Sequence, residues 1–357
     1  MIKVFTYFVE PASYTLDLIK NVHSKLGIPY IFIKNKSEAK SVTSLDNQEF
    51  LSEKLFFSKL IFVFNTWKNN NLIIVNGYNN YPFILTFVFN FFSFKKRYIA
   101  AESDTQLKIP ENILKRIIKS VYLKIIFRNK YVLGFAGGSK THKDLFIYYG
   151  MKEERIFLIP MMIDNQKYYQ EEKTFPEKFT FLFVGRLLDT KNVDVLCKRF
   201  ISVFSEKNAE LIIVGGGGNL EKYRNDYSHE KILFKGSVFG KELIDIYHNS
   251  SVFIFPSTVE AWGLVVNEAM SAALPIIAHK KVGSVHDFVH GKETGFVIDN
   301  WEEMENKMLE LYNNPNLCKI FSDNAERLMK EKWNYNLYED KLLESIKKVK
   351  EWIYRVK

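Results

Sequence analysis

Residues 252–270 read VFIFPSTVEAWGLVVNEAM, and this stretch decides the fold class. Its first four residues are β-branched or aromatic, which predicts a short buried strand that ends at the proline. A polar loop carrying Glu260 follows, and residues 264–273, which are rich in small and apolar side chains, predict a helix. Glu260 therefore lies on a loop after a strand, and Glu268 lies about one turn inside the next helix.

The predicted helix start is a candidate anion site. Its backbone N–H groups and the helix dipole favour a phosphate group. The candidate ligand-binding positions are Ala261, Trp262, Gly263, Leu264 and Val265. Glu260 and Glu268 flank this site, and their carboxylates can accept hydrogen bonds from sugar hydroxyls. Two glutamates at this spacing in a charged protein are commonly solvated, so the stretch alone does not establish a site.

Two cations follow an upstream strand. Residues 180–184 are apolar and predict a strand that ends at Gly185, with Arg186 next and Lys191 five residues later. Both cations thus lie at the carboxyl end of a strand, where open α/β sheets bind ligands. An arginine offers a forked donor for phosphate and a lysine offers a point charge. Two ordinary surface cations explain this segment equally well when it is taken alone.

A glycine turn continues the pattern. A predicted strand runs into residues 215–218, which are four consecutive glycines. The turn departs from the dinucleotide-binding fingerprint because Leu220 stands where the third glycine belongs. We interpret it as a tight turn in which Gly215 and Gly216 let the backbone approach a ligand closely.

Length and composition predict a globular protein of two domains. The chain has 357 residues, which is more than a single hydrophobic core comfortably accommodates. Hydrophobic residues make up 47% of it, an ordinary fraction for a globular protein. Cys197 and Cys318 lack metal-ligand or disulfide spacing, which fits a reducing cytoplasm. Residues 1–9 predict a first strand and show no signal-peptide pattern. The longest apolar stretch, 82–94, is too short to span a bilayer.

Strand-like and helix-like stretches alternate in both halves, which predicts parallel sheets with helices on their faces. In the first half the predicted strands are residues 2–8, 30–33, 60–64, 72–75, 98–101 and 131–136. The predicted helices there are residues 14–26, 47–57, 82–94, 113–128 and 142–149. A polar linker spans 161–178, a second alternating set follows it, and a charged amphipathic helix is predicted at 337–356.

Residues 112–131 carry much of the net charge of +9. They contain six Lys or Arg residues and no acid, with apolar residues at helical spacing. Such a helix suits an anionic membrane surface, although a normal amphipathic helix packed on its own sheet explains the pattern as well. A basic nucleic-acid-binding protein is a further alternative, but the run lacks a helix-turn-helix, zinc or RNP pattern.

These motifs, taken in chain order, resemble the retaining glycosyltransferases of family GT4, which have the GT-B fold. The resemblance covers roughly residues 125–345. It rests on Gly185-Arg186 with Lys191, the glycines at 215–218, Phe234-Lys-Gly-Ser-Val238, the Glu260 and Glu268 pair, residues 283–291 and Trp333. It implies an α/β fold of two Rossmann-like parallel-sheet domains facing a cleft, an acceptor-binding domain at 1–165 and a nucleotide-sugar-binding domain at 166–335. The final helix, 336–357, is expected to pack back on the first domain.

The resemblance also implies roles for the candidate residues. Glu268 would accept hydrogen bonds from both ribose hydroxyls, and Glu260 would bind the transferred sugar. Arg186 and Lys191 would hold the diphosphate of a UDP- or GDP-linked sugar and stabilise charge on the departing phosphate. The remaining nucleotide-sugar-binding positions are Gly185, Gly215, Gly216, Ser237 and Val238. No cofactor is implied, and no Asp-x-Asp motif accompanies the cations, so we expect transfer to be metal-independent.

Two departures from the family pattern concern the acceptor. The loop after the first strand, 8–14, lacks the glycines that members often carry there. A frequent His-Thr pair is replaced by Glu102-Ser-Asp104-Thr105, so Glu102 or Asp104 would take the place of the histidine beside sugar and acceptor. Both residues are therefore candidate catalytic residues, together with the cations and Glu260.

The sequence thus favours a cytoplasmic hexosyltransferase of bacterial surface polysaccharide synthesis that uses a glycan or lipid-linked acceptor. A peripheral position on the inner face of the cell membrane is a further expectation. One alternative is another GT-B enzyme, such as a sugar-nucleotide epimerase or a phosphorylase. A Rossmann dehydrogenase is disfavoured by the glycine turn at 215–220. Retention of configuration is compatible with a double displacement or with front-side attack, and the sequence leaves both open.

Overall fold

The structure, a computed structural model, describes residues 2–35, 48–289 and 291–355. Contacts divide these residues into two compact units. The first unit comprises the chain up to Met162 together with the residues from Tyr335 onwards, and the second comprises Ile163–Asn334. The first unit is therefore discontinuous in sequence, because the second unit is inserted between its two pieces.

A six-stranded parallel sheet forms the centre of the first unit. Its strands are β1 Val4–Phe8, β2 Tyr30–Phe32, β3 Leu72–Asn76, β4 Tyr98–Ser103, β5 Val132–Ala136 and β6 Ile156–Leu158. They are arranged across the sheet in the order β2-β1-β3-β4-β5-β6. Residues from Leu72 to Val75 in β3 are fully buried. Such continuous apolar runs are typical of strands covered on both faces.

Helices cover both faces of this sheet. They are α1 Ser13–Leu18, which continues as a π-helical turn Ile19–His23, α2 Phe56–Asn69, α3 Tyr81–Phe92, α4 Ile113–Arg128 and α5 Thr141–Tyr148. The connections from β2 through β6 all step in one direction across the sheet. Because parallel crossovers are right-handed, α2, α3, α4 and α5 lie on one face. The connection from β1 to β2 steps the other way, so α1 lies on the opposite face.

One sequence-based assignment is wrong in this unit. The sequence predicts a helix at 47–57 and a strand at 60–64, whereas the structure has a 3-10 turn at Leu51–Glu53 and the single helix α2 at Phe56–Asn69. Residue 47 lies outside the described residues. Within α2, Val63 faces the core while Phe64 is exposed. Because apolar residues lie on both sides of the helix, they do not recur at helical spacing in the sequence. They form a short apolar run that resembles a strand.

The second unit also contains a six-stranded parallel sheet. Its strands are β7 Phe179–Val184, β8 Ala209–Val214, β9 Ile232–Gly236, β10 Val252–Phe255, β11 Ile276–His279 and β12 Gly295–Ile298. Their order is β12-β11-β10-β7-β8-β9, which places β7 centrally between β10 and β8. Its helices are α6 Val193–Phe204, α7 Leu220–Asp226, α8 Gly240–His248, α9 Leu264–Ser271, α10 Val285–Phe288, α11 Trp301–Asn313 and α12 Pro315–Arg327. The predicted α/β architecture with two parallel sheets is confirmed.

The last helix, α13 Tyr335–Arg355, completes the first unit. The Tyr338 ring lies 6.3 Å from the His23 ring, and Trp352 lies 5.6 Å from Tyr98. Val349 is fully buried in this packing. The expected return of the final helix to the first half of the chain is therefore confirmed.

Candidate functional site

The loops after β7 and β10 meet because these strands are neighbours in the sheet. A 3-10 turn, Asp189–Lys191, follows β7 and ends at Asn192, whose φ of 52° is left-handed. The Asn192 side-chain amide donates to the Pro256 carbonyl at 2.9 Å. The Thr258 N–H donates to the Thr190 carbonyl at 2.9 Å. These bonds fix the loop after β10 against the turn after β7.

Lys191 and Glu260 form an ion pair where these loops meet. The Lys191 Nζ also lies 3.4 Å from Ser257 Oγ and 5.3 Å from the centroid of the Phe255 ring. Lys191 is only 8% exposed, so the pair is shielded from water and its Coulombic attraction exceeds that of a surface pair. The ammonium is thereby held at the carboxyl ends of two central strands, where it can attract a phosphate.

Arg186 lies in a different environment from Lys191. It is exposed, at the first position after Gly185. Its carbonyl accepts a hydrogen bond from the Leu188 N–H at 3.0 Å. The two predicted cations therefore follow the same strand, but one is anchored by a carboxylate while the guanidinium of the other is open to solvent.

Close backbone packing explains the glycines after β7 and β8. A Cβ at Gly215 would overlap the carbonyl oxygen of Gly185, so a side chain there is excluded by the fold itself. A Cβ at Gly216 would lie 2.5 Å from the Ser237 Oγ. Ser237 is exposed and Val238 is buried, directly after β9. The structure thus brings these five predicted site residues to one end of the sheet.

The start of α9 lies beside Glu260. Gly263 precedes the helix with a φ of 92°, a conformation that favours glycine. A Cβ at this position would lie 3.3 Å from the Glu260 Cγ. The Val266 N–H donates to the Gly263 carbonyl at 2.8 Å. The N–H groups of Leu264 and Val265 precede the first intrahelical bond and belong to the first turn, which leaves them for a ligand.

The side chain of Trp262 is committed to the interior of the second unit. Trp262 is 2% exposed, and its indole N–H donates to the Asn267 Oδ1 at 2.9 Å. Its ring stacks on Trp333 at 5.6 Å. Of the two predicted positions before Gly263, only Ala261 is exposed. Trp262 can therefore contribute only its backbone to a ligand site.

Glu268 is held inside α9 by tyrosines that the sequence analysis missed. The Tyr247 hydroxyl donates to the Glu268 Oε2 at 2.8 Å. Burial raises the pKa of Glu268, and hydrogen bonds from Tyr247 and Tyr168 oppose this shift. Neither tyrosine carries a sequence signal, because their contact with Glu268 depends on tertiary packing. The carboxylate is thus oriented before any ligand arrives.

Glu102 and Asp104 line a cavity of about 370 Å³ in the first unit. The cavity lies at the carboxyl ends of β1, β3 and β4, and its wall also includes Glu10, Tyr14 and Asn76. Three of the lining residues are acidic, and the lining contains no Lys, Arg or His. All of these lining residues are described by the structure. The cavity therefore presents hydrogen-bonding groups with a negative potential.

The Glu102 carboxyl lacks full hydrogen bonding in this cavity. Its Oε2 is buried and has no hydrogen-bond partner. Burial, followed by the charge of Asp104, raises the pKa of Glu102 from 4.5 to about 7. Burial and the charges of Asp104 and Glu10 likewise raise the pKa of Tyr14 to about 12. Among the described residues, no group of three or more His, Cys, Asp or Glu could hold a metal ion.

Two six-stranded parallel sheets with flanking helices define the GT-B fold, and solved structures share it over 97% to 100% of the chain. HepE of Anabaena in complex with UDP-glucose aligns with 97% of this chain and 100% of its own, with a TM-score of 0.73 and 15% identity. At this identity the likeness shows the fold alone.

Residues 164–328, which span most of the second unit, match the sequence model of the family described as Glycosyl transferases group 1. The chain is 28% identical to an uncharacterized glycosyltransferase of Methanocaldococcus jannaschii over 275 residues, covering 71% of this chain and 68% of that protein. It is 26% identical to the capsular polysaccharide biosynthesis glycosyltransferase CapM of Staphylococcus aureus, covering 66% of this chain and 59% of CapM. The chain is therefore similar to group 1 glycosyltransferases, with the family match lying in its second unit.

Proposed function

We propose that the protein is a retaining, metal-independent hexosyltransferase of family GT4. It moves a hexose from a nucleotide-diphosphate sugar to a glycan or lipid-linked acceptor in bacterial surface polysaccharide synthesis. The observation that carries this proposal is the Lys191–Glu260 ion pair beside the start of α9, with Glu268 inside the same helix. The family match of the second unit and the similarity to CapM support it.

Each part of a nucleotide-sugar donor has matching groups in the second unit. The Glu268 carboxylate, oriented by Tyr247, accepts hydrogen bonds from the ribose hydroxyls. The diphosphate is held by Lys191, by Arg186 and by the first N–H groups of α9. Glu260 binds hydroxyls of the transferred sugar while keeping the Lys191 ammonium in place. HepE, which shares the fold, was solved with UDP-glucose, which makes UDP-glucose the first donor to test.

The proposed chemistry uses charge stabilisation rather than a covalent enzyme intermediate. The bond between the anomeric carbon and the phosphate oxygen breaks while the acceptor oxygen bonds to that carbon on the same face. The departing phosphate takes the acceptor's proton, and Lys191 and Arg186 stabilise the charge it carries. In this scheme Glu260 orients the sugar and does not attack it.

The cavity in the first unit is the proposed acceptor site. Its acidic lining disfavours phosphate or carboxylate groups and favours an uncharged or cationic part of a carbohydrate, whose hydroxyls or amines pair with carboxylates and amides. The unpartnered Glu102 Oε2 is then satisfied by such a group. Asp104 lines the same cavity and supplies a second acceptor.

A thermal-shift screen with UDP-, GDP-, ADP- and CMP-sugars tests the donor proposal. A ligand at 100 times its dissociation constant stabilises the folded state by about 2.7 kcal/mol, which is readily measured. We expect a shift with a UDP- or GDP-sugar and transfer to a glycan or lipid-linked acceptor with the anomeric configuration retained. Absence of any shift, or conversion of the donor without an acceptor, would contradict the proposal, and the second result would favour an epimerase.

We predict that transfer persists in excess EDTA. Lys191 and Arg186 supply the positive charge that a divalent ion provides to the leaving diphosphate in metal-dependent enzymes. The measurement is the initial rate before and after chelation, followed by addition of Mg²⁺ or Mn²⁺. Loss of the rate on chelation and its return with metal would show this prediction to be wrong.

We predict that Glu102→Gln changes the pH dependence of stability. Because the pKa of Glu102 is raised to about 7, the folded state retains a proton that the unfolded state releases. This stabilisation is fully present below the unfolded pKa of about 4.5 and is lost as pH rises through about 7; it is about 3 kcal/mol at most. Urea unfolding of both proteins across this window measures it. A difference in unfolding free energy that stays constant with pH would contradict the assignment.

A further inference from the structure

The outer surface of α2, α3 and α4 is unusually apolar for a protein surface. Seventeen of the 25 exposed large hydrophobic side chains in the described part of the chain lie between Leu55 and Ile125. Phe57 is 75% exposed and Phe92 is 79% exposed. Apolar residues scattered singly over a surface are normal, but a contiguous patch marks a contact with another phase or molecule.

These side chains lie on one side of the first sheet, and we call this side the outer helix face. α2, α3 and α4 lie on the same side of the first sheet because their three crossovers share one direction and one hand. α2 and α3 touch through Phe64 and Phe89, whose ring centroids are 5.4 Å apart. α4 is joined to the segment before α3 by a hydrogen bond from the Tyr122 hydroxyl to the Tyr78 carbonyl at 2.8 Å.

The charge on the outer helix face has a single sign. The helices α2, α3 and α4 contain no Asp or Glu. Lys115, Arg116 and Lys124 of α4 are exposed among the apolar residues of that helix. Lysine and arginine stems cover apolar surface while their charged ends reach outwards. An apolar surface with cations around it matches the interface of an anionic bilayer, where acyl chains lie beneath negative headgroups.

We propose that the outer helix face is a docking surface for an anionic lipid bilayer. Phenylalanines of α2 and α3 enter the boundary between headgroups and acyl chains, and the cations of α4 pair with the headgroups. A second copy of the chain suits this face less well, because self-association would bring its cations together. None of the described helices is long and apolar enough to cross a membrane, and the proposed contact is interfacial. The proposal does not depend on the proposed glycosyl transfer.

Flotation with lipid vesicles tests the docking surface. We compare vesicles of phosphatidylcholine alone with vesicles of equal parts phosphatidylcholine and phosphatidylglycerol, at low and high salt. The apolar variant carries Phe57→Ser, Phe91→Ser and Phe92→Ser, three exposed positions whose replacement leaves the core intact. The charge variant carries Lys115→Gln, Arg116→Gln and Lys124→Gln. A matched control carries Ile320→Ser and Leu343→Ser, two exposed apolar positions elsewhere.

We expect the native protein to float with the anionic vesicles, and more so at low salt because salt screens the headgroups. The apolar variant should lose at least tenfold in its partition coefficient at both salt concentrations. The charge variant should lose binding chiefly at low salt, and the control should bind as the native protein does. Absence of flotation at low salt would overturn the proposal. Native-like flotation of the apolar variant would overturn it as well. A third contrary result would be a native dimer that the apolar substitutions dissociate, with vesicles binding neither the native protein nor the apolar variant.

Discussion

Replacing Lys191 with alanine lowers turnover at saturating donor by about 100-fold or more, which corresponds to roughly 3 kcal/mol of transition-state stabilisation. The ammonium is fixed at the carboxyl end of β7 by Glu260 and Ser257. A positioned charge of this kind acts on a departing phosphate without reorganisation during the reaction. Arg186→Ala is expected to have an effect of similar size, because the guanidinium is a second donor to the same group.

The two variants differ in what they do to the fold, which makes the pair informative. Lys191→Ala removes the ammonium that pairs with the partly buried Glu260 carboxylate, which costs stability, so thermal unfolding is measured beside the rate. Arg186 is exposed, and its loss should leave the melting temperature unchanged. Arg224→Ala, an exposed arginine of the same unit, is the matched control. Full activity of a folded Arg186→Ala or Lys191→Ala protein would remove that residue from the mechanism.

Replacing Glu268 with alanine is expected to weaken nucleotide binding by roughly 1.5–3 kcal/mol, which is the usual worth of hydrogen bonds to a charged group. Calorimetric titration with the free nucleoside diphosphate measures this loss, because the nucleotide retains the ribose but lacks the sugar. Tyr247→Phe is the comparison. It keeps the carboxylate but removes the hydroxyl that donates to Oε2, so binding should weaken less.

The same pair of variants distinguishes a ligand contact from a structural contact. If Glu268 served only as the acceptor for Tyr247, both variants would lower the melting temperature and neither would change the affinity for the nucleotide. Unchanged affinity of Glu268→Ala would therefore refute the ribose assignment. Suppose that removing the ribose hydroxyls from the nucleotide lowers its affinity for the native protein but not for Glu268→Ala. This pattern would place the contact with Glu268 at the ribose ring.

Most of the α/β architecture could be predicted because buried parallel strands are continuous apolar runs and the helices between them are periodic. The prediction failed at 60–64, where a helix was taken for a strand. The residues responsible are those of the outer helix face: Phe64 and its exposed neighbours add apolar positions where a globular helix has polar ones. The error and the proposed docking surface therefore have one cause.

The candidate residues could be proposed from the sequence, but their partners could not. Lys191 and Glu260 are 69 residues apart, and they meet only because β10 is the neighbour of β7. Strand order across a parallel sheet is not encoded in local periodicity. For the same reason, the contact between Tyr247 and Glu268 could not be predicted from the sequence. At Gly215 the sequence indicated space for a ligand, whereas the structure shows that the Gly185 backbone already requires a glycine there.

The insertion of the second unit into the first sets the timing of folding during synthesis. The residues from Tyr335 onwards leave the ribosome only after all of Ile163–Asn334 has emerged. At about 5–20 residues per second, this delay is roughly ten to thirty seconds. During that interval the surface that Leu342 and Val349 will cover remains open to water, to chaperones and to neighbouring nascent chains. The second unit, by contrast, is one continuous stretch of the sequence. It can therefore fold while the first unit still lacks its last helix.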